Sequence, residues 1–266
     1  MHLPGGGAEA FFVEEAGRLV PTAATRGPWS DRHQHGGPPA AAMARAIERA
    51  VAGEDAALVA RFTLDLARPV PLAPLSVRVQ RVRDGRRVRG FAAVLSAGDQ
   101  EIARASALLI RTEPLDLPPP APGAGPPHPE TAAPFAFPFF TEAVGYHTAM
   151  ETRLVGNAFG TGAAFMWLRM RVPLVAGEAP SPLQRVLIAA DSGSGVSAAL
   201  DSRRFTFVNA DLSVHLHRLP EGEWVGLDSA TTVERHGVGL ARTMLVDRQG
   251  PVGSALQSLV LAERQG

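Results

Sequence analysis

The chain contains no cysteine and no lysine, so its 26 basic residues are all arginine, histidine aside. The absence of cysteine excludes disulfides, thiolate nucleophiles and cysteine-ligated metals. The absence of lysine excludes Schiff-base chemistry, a lysine general base and the phosphate-binding loop that requires a lysine. Any catalysis must therefore use other side chains.

Net charge and long apolar runs are also missing. The 26 basic and 26 acidic residues cancel, which argues against nucleic acid as a partner because its binding needs a basic face. No apolar run approaches the roughly 20 residues that span a bilayer. The segment Met1 to Gly7 lacks the basic-then-apolar pattern of a signal peptide. We therefore expect a cytoplasmic protein with no membrane partner.

What is present is an ordinary globular composition with 45% apolar residues, arranged as the same series of elements in each half. Each half is predicted to hold one or more strands, one central helix and then about four strands in hairpin order. The predicted helices cover 40–51 and, beginning at an N-cap on Ser181, 182 toward 200, with disturbances at Gly193 and Gly195. The predicted strands lie within 10–30 and at 62–66, 75–79, 91–95, 105–110, 146–155, 164–172, 205–216, 224–232, 240–246 and 252–261.

A proline-rich segment separates the two halves. Residues 112–134 contain nine prolines and few large apolar side chains, a composition typical of a semi-extended linker. We therefore predict an N-terminal subdomain at 1–111, a linker at 112–134 and a C-terminal subdomain at 135–266.

The halves also align with each other without a gap at an offset of 150 residues. Matched pairs include Leu66 with Leu216 (216 − 66 = 150), Arg68 with Arg218, and Ala105 with Ala255. A repeat of this length indicates a duplicated subdomain, because solenoid units run only about 20–50 residues. At the same offset, three polar residues of the second half replace apolar residues of the first: Asp191 for Ala41, Asn209 for Val59 and Gln257 for Ala107.

The fold class predicted from this order is α+β. One helix per half cannot cover both faces of its sheet, so each antiparallel sheet is expected to wrap around its central helix. Pairing of edge strands between the two units would join the sheets and remove an exposed edge.

This arrangement resembles the double hot-dog acyl-CoA thioesterases of the thioesterase II type. His35-Gly36-Gly37 before an alanine-rich helix resembles the Gly-Gly turn of that family. Ala190-Asp191-Ser192 is similar to the stretch with the catalytic aspartate. The segment from Asn209 to Ser213 resembles the strand with a catalytic threonine or asparagine, and that from Val252 to Gln257 the strand with the catalytic glutamine.

The resemblance implies hydrolysis of an acyl thioester, with CoA as the expected handle, by direct attack of a water. Asp191 would orient and partly deprotonate that water, and Asn209 and Gln257 would hold it against the thioester carbon. Backbone N–H groups near a helix start, either around Gly36-Gly37 with His35 beside them or at the opposing helix, would receive the carbonyl oxygen. No cofactor is implied, and hot-dog units commonly assemble further, so a homo-oligomer is expected.

Two departures and two alternatives stay open. The best-known members have threonine where Asn209 stands, and Asp191 is followed by Ser-Gly-Ser-Gly rather than bulky apolar residues. A hydratase or dehydratase of acyl thioesters would pair an aspartate with a histidine, and His35 could approach Asp191 from the other half. A non-catalytic thioester or lipid binder would retain its ligand without turnover.

Other motifs carry weaker functional signals. His33 and His35 with Asp31, and His215 with His217, have a spacing that could bind a metal, but each pair lacks an evident third ligand, so no metal is predicted. The segment from Gly195 to Ala199 resembles a nucleophile elbow without its final glycine.

Overall fold

The computed structural model of the chain describes residues 8–118 and 125–264. The segment Met1 to Gly7, on which the signal-peptide prediction was made, lies outside the described residues. So do 119–124 of the predicted linker and the last two residues of the predicted second subdomain. Within the described ranges, no helix is long and apolar enough to cross a membrane.

The chain folds mainly into β-strands. Those of the first half are β1 (Phe12–Glu15), β2 (Arg18–Pro21), β3 (Ala57–Leu66), β4 (Leu75–Asp84), β5 (Val88–Ala97) and β6 (Gln100–Arg111). Those of the second half are β7 (Ala133–Pro134), β8 (Met150–Val155), β9 (Ala163–Met170), β10 (Phe205–Asn209), β11 (Asp211–Leu216), β12 (Val225–Val233), β13 (Val238–Asp247) and β14 (Gly250–Glu263).

These strands form one antiparallel sheet. Its order over the described residues is β1-β2-β4-β5-β6-β3-β11-β14-β13-β12-β9-β8-β7, with β10 paired to β14. The two halves meet where β3 pairs with β11. The strands therefore make a continuous sheet across both halves rather than two separate sheets.

The 150-residue repeat is confirmed in the strand register. Val88 pairs with Ile110 in the first half, and Val238 pairs with Val260 in the second, each at the same offset (238 − 88 = 260 − 110 = 150). Across the central pair β3–β11, Thr63 faces Ser213, which is its own counterpart (213 − 63 = 150). A residue that faces its counterpart marks a local two-fold axis, so the halves are related by an approximate two-fold rotation at this pair.

The first central helix, α1 (Gly37–Ala50), begins with two prolines, which suit the first turn because their missing N–H groups would have no intrahelical partner there. Ala40, Ala41, Ala42 and Ala44 are fully buried. Small side chains allow α1 to pack against both the sheet and the second central helix, α3 (Pro182–Ala190).

The second central helix is shorter than the sequence predicted. The predicted cap is confirmed, since Ser181 Oγ accepts the Gln184 N–H at 3.1 Å. The helix nevertheless ends at Ala190, and a separate turn of helix, α4 (Gly193–Val196), follows it. Glycine and serine have low helix propensity, and the break leaves Asp191 at the C-terminal cap of α3.

Three other predictions are corrected at their boundaries. The predicted strand 146–155 begins with a helical turn, α2 (Tyr146–Ala149), and only then continues as β8. The predicted strand 205–216 is interrupted at Ala210 between β10 and β11. The end of the predicted linker forms a 3₁₀ turn at Pro129–Thr131 and then β7, which pairs with β8.

Candidate active site

The Asp191 carboxylate lies between the two central helices. Its side chain is only 2% exposed. It follows the C-terminus of α3 and faces the N-terminus of α1, where Gly36 is the cap residue. The positive end of the α1 dipole favours a carboxylate there. A Cβ atom placed on Gly36 would lie 2.9 Å from both carboxylate oxygens, so a glycine is what lets α1 approach so closely.

Asn209 holds one oxygen of that carboxylate. Its Nδ2 donates to Asp191 Oδ1 at 2.7 Å. Asn209 is the last residue of β10, next to the interruption at Ala210, and the counterpart strand β3 has an irregularity at the matching place, between Val59 and Arg61. Irregularities of this kind re-aim side chains, so the interruption after Asn209 is compatible with its side chain turning toward Asp191.

His35 holds the other oxygen. Its Nδ1 lies 2.8 Å from Asp191 Oδ2, and the same nitrogen lies 3.1 Å from the Gly37 backbone nitrogen. The imidazole stacks on the Tyr146 ring, with a centroid separation of 3.7 Å and an interplanar angle of 1°. His35 and Gly36 come from the first half and Asp191 and Asn209 from the second, so both halves contribute to the site.

Hydrogen bonds hold Tyr146 in place under the stacked His35 ring. Its hydroxyl donates to the Ile188 carbonyl at 2.8 Å and lies 2.9 Å from Ser192 Oγ. Burial raises the pKa of the Tyr146 phenol, and the nearby Asp191 charge acts in the same direction. The phenol therefore stays protonated and remains a hydrogen-bond donor.

Gln257 bonds to the backbone of Asp191 rather than to its carboxylate. Its Nε2 donates to the Asp191 backbone carbonyl at 3.0 Å, and its Oε1 accepts the Ser194 N–H at 3.0 Å. The residue is 1% exposed. Its carboxamide thus joins the two ends of the break between α3 and α4, on the inward face of β14.

This geometry leads to a stability prediction for Gln257. Replacing it with alanine leaves the Asp191 carbonyl and the Ser194 N–H buried without partners, and each such group typically costs about 1–3 kcal/mol. We expect the free energy of unfolding, measured by urea denaturation, to fall by at least that amount. Gln80, exposed on β4, provides the control: its alanine variant should change stability by no more than about 0.5 kcal/mol. Equal stability of the Gln257→Ala and Gln80→Ala variants would show that Gln257 does not stabilise the break between α3 and α4.

A cavity of about 350 Å³ opens above these groups. His35, Gly36, Asp191 and Asn209 line it, whereas Gly37 and Gln257 do not. Much of the remaining wall is aromatic, formed by Trp29, Phe137, Phe139, Phe140 and Phe207. The Trp29 and Phe207 rings meet edge to face at 4.8 Å. A buried carboxylate at the base of an apolar, open-mouthed cavity is an arrangement suited to a ligand that has a polar reacting group and an apolar body.

Tyr146 and the aromatic wall were not identified from the sequence. Tyr146 is the only tyrosine of the chain, and Phe135, Phe137, Phe139 and Phe140 lie close together just after the proline-rich segment. That clustering was the available signal. It did not reveal that these rings turn toward Asp191, because they lie mostly outside regular elements.

The weaker motifs meet this cavity only in part, because His33, His35 and Gly195 line it whereas Ser197 does not. Ser197, in the elbow-like segment, is fully buried, with its hydroxyl bonded to the Gly193 carbonyl at 2.9 Å. His35 contacts Asp191. Among the described residues, no group of three or more His, Asp or Glu side chains is arranged to hold a metal.

Two sequence models together cover most of the chain. The model of the acyl-CoA thioesterase N-terminal domain matches residues 25–110, and that of the C-terminal domain matches residues 122–261. The chain belongs to the acyl-CoA thioesterase family. It is therefore a hydrolase that acts on thioester bonds, with acyl-CoA as the substrate that the family implies.

Solved structures show the fold of this thioesterase. A hot-dog protein of unknown function from Alicyclobacillus acidocaldarius is similar over 97% of each chain, with 17% identity and a TM-score of 0.73. The tesB protein of Mycobacterium avium subsp. paratuberculosis covers 94% of this chain and 96% of its own, with 17% identity and a TM-score of 0.66. Acyl-CoA thioesterase II TesB2 from Mycobacterium marinum covers 79% and 82%, with 16% identity and a TM-score of 0.58. No curated protein sequence matches the thioesterase.

Proposed function

We propose that the thioesterase hydrolyses acyl-CoA in the cavity above Asp191, by direct attack of a water molecule on the thioester carbon. The observation that carries this proposal is the buried Asp191 carboxylate. Both of its oxygens are held by neighbouring side chains, and it lines the cavity next to the N-terminus of α1. Asp191 and Asn209 are the proposed catalytic residues, and Gln257, which does not line the cavity, is a positioning residue. Asp191 supplies the negative charge that polarises the water, Asn209 orients it, and Gln257 acts from behind by fixing the Asp191 backbone.

The carbonyl oxygen of the substrate needs a hydrogen-bond donor as negative charge develops on it. The Gly36 N–H is the proposed donor, because it precedes α1, lines the cavity and donates to no acceptor among the residues that the structure describes. A helix N-terminus suits a developing anion. Attack then forms the bond between the water oxygen and the carbonyl carbon, the carbon–sulfur bond breaks, and the products are a free acid and the CoA thiol.

The aromatic wall and one arginine support the placement of the substrate. The acyl group would lie against Trp29, Phe139 and Phe207. Arg68, on the cavity rim, is exposed and forms no ion pair with any described residue, so it is free to meet a CoA phosphate. Its repeat counterpart Arg218 instead pairs with the fully buried Asp247, which is an alanine at the matching position of the first half (247 − 150 = 97).

We also propose the double hot-dog arrangement, with subdomains at 1–111 and 135–266 joined by 112–134. The approximate two-fold at Thr63 and Ser213 supports it. Under this arrangement the site lies at the junction of the two units. The expected homo-oligomer stays a prediction, and sedimentation of the intact chain at a monomer mass would contradict it.

The test is thiol release from a panel of acyl-CoA esters that differ in chain length, branching and aromatic content. We expect steady release of CoA thiol by the purified wild-type chain, fastest for acyl groups that the cavity accommodates. Tight retention of an acyl-CoA without turnover would instead support a non-catalytic binder. Absence of both turnover and binding across the panel would contradict the proposed site.

A second reaction is favoured by one specific observation, the contact of His35 with Asp191. An aspartate–histidine pair is the arrangement expected of a hydratase of acyl thioesters. An assay with a 2-enoyl-CoA separates the two reactions. Loss of the enoyl absorbance reports hydration, and thiol release, measured in parallel, reports hydrolysis. Hydration without thiol release would replace hydrolysis as the activity of this site.

A further inference from the structure

We propose that His35 transfers the proton in thioester hydrolysis, with Nε2 accepting a proton from the attacking water and returning it to the departing sulfur. This inference rests on the proposed function and adds a catalytic residue to it. Asp191 then acts by fixing the imidazole and stabilising its charge rather than by taking the proton itself.

The surroundings of the Asp191 carboxylate do not favour it as the group that takes the proton from the water. Its two oxygens are bonded separately, Oδ1 to the Asn209 amide at 2.7 Å and Oδ2 to His35 Nδ1 at 2.8 Å. The side chain is 2% exposed, whereas that of His35 is 12% exposed. Of the two groups, the imidazole is the more accessible from the cavity.

The imidazole is held in one plane. Tyr146 stacks on it face to face, and the Tyr146 hydroxyl is in turn fixed by the Ile188 carbonyl. Nδ1 is bound on the inner side by Asp191, while Nε2 forms no hydrogen bond with any described residue. A ring fixed at one nitrogen and unbound at the other, on the wall of a cavity, is arranged for proton transfer with a ligand.

The tautomer follows from competition at Nδ1. This nitrogen can donate to Asp191 Oδ2, or it can accept from the Gly37 N–H at 3.1 Å, but it cannot do both. A hydrogen bond to an ionised carboxylate is roughly twice as strong as one between neutral groups. His35 therefore carries its proton on Nδ1, and the lone pair of Nε2 is available to the water.

The proton balance closes without another reactant. As the water oxygen bonds to the carbonyl carbon, Nε2 takes one water proton, and the carbonyl electron pair moves to oxygen. When the carbonyl re-forms and the carbon–sulfur bond breaks, the proton on Nε2 passes to sulfur. The ring returns to its neutral form, and the acid and thiol leave. Throughout, the Nδ1 proton stays between His35 and Asp191, as in serine hydrolase triads.

Other ionisable groups near the ring bear on the pH dependence. Asp191 and Tyr146 face the imidazole directly, and His33 and Arg68 line the same cavity. His33 is the only other imidazole among the cavity-lining residues, so a histidine-type pH profile must be assigned by substitution of His35.

The deciding experiment compares His35→Asn with wild type and with the control His215→Asn. Asparagine can still donate an amide N–H to Asp191, but it has no basic nitrogen. For His35→Asn we expect kcat to fall by about 10²–10⁴-fold with KM little changed, because general acid–base catalysis contributes on that order. The acidic limb of the kcat/KM pH profile should also disappear. His215 is exposed on β11, and its substitution should leave both unchanged.

Two further measurements keep the inference falsifiable. Nitrogen-15 NMR of the wild-type histidines should show His35 protonated at Nδ1, and protonation at Nε2 alone in the resting enzyme would overturn the inference. An active wild type whose His35→Asn variant keeps its kcat and pH profile would overturn the role of His35 alone. A wild type that hydrolyses no acyl-CoA would overturn the proposed function and this role together.

Discussion

Replacing Asp191 with asparagine is expected to lower kcat by about 10³–10⁴-fold, comparable with the loss of the orienting aspartate in a catalytic triad. Asparagine has nearly the same shape, so the cavity should persist. Its side chain has only one oxygen, however, so when that oxygen accepts from the Asn209 amide, an NH2 group faces His35 Nδ1 and no acceptor remains for the Nδ1 proton. The negative charge that polarises the water is lost as well.

The same substitution should change stability little. Asp191 is a buried carboxylate without an arginine partner, and burial of such a charge is itself unfavourable. Thermal unfolding of Asp191→Asn should therefore resemble that of wild type. Asp228→Asn, an exposed change on β12, is the matched control and should keep full activity. An Asp191→Asn variant that hydrolyses acyl-CoA at the wild-type rate would show that the reaction occurs elsewhere.

The sheet could be predicted from the sequence because its signals are local. Alternating apolar residues, with turn-forming residues between them, predict β4, β5 and β6 as strands of successive hairpins. The repeat has the same pattern at β12, β13 and β14. Even an irregularity is shared, since both copies shift register at matching positions, after Leu95 and after Leu245 (245 − 95 = 150). Duplication therefore preserved the detail of the pairing as well as its order.

The site could be predicted only in part, because its contacts join distant residues. The repeat identified Asp191 and Asn209 as polar where the first half is apolar, and the structure brings these two side chains together. It also identified Gln257 but not its direction, which depends on the break between α3 and α4. The contact between His35 and Asp191 spans 156 positions (191 − 35 = 156). The sequence raised it only under the hydratase alternative, because helix and strand periodicity does not show which distant residues meet.

The two halves differ most where the site lies. In the first half α1 runs unbroken through Ala41, while at the matching position Asp191 ends α3. The break exposes backbone groups, and Gln257 satisfies two of them; its counterpart Ala107 has no such task. One copy thus retained a continuous helix, whose N-terminus faces the carboxylate of the other.

Gly36→Ala is expected to lower kcat by about 10²-fold, although it adds a single methyl group and leaves the Gly36 N–H in place. The Gly36 backbone has φ −68° and ψ −20°, values that alanine adopts readily, so the substitution causes no backbone strain. Its Cβ, however, would lie 2.9 Å from both oxygens of Asp191, closer than real contacts allow. The carboxylate must shift, and displacements of up to about 1 Å in an active site can cost that much in rate.

The stability of the Gly36→Ala variant distinguishes a local shift of the Asp191 carboxylate from a general loss of structure. The three atoms nearest to that Cβ all belong to the Asp191 carboxylate and none to the backbone, so the shift stays local, and thermal unfolding of Gly36→Ala should differ little from wild type while its activity falls. Gly125→Ala is the matched control, because a Cβ there meets no atom of the described residues within 4 Å. Wild-type kcat in Gly36→Ala would mean that the position of the Asp191 carboxylate does not limit the reaction. Loss of activity with unchanged unfolding would instead tie the rate to the close approach of α1 and Asp191, a contact that only glycine at position 36 allows.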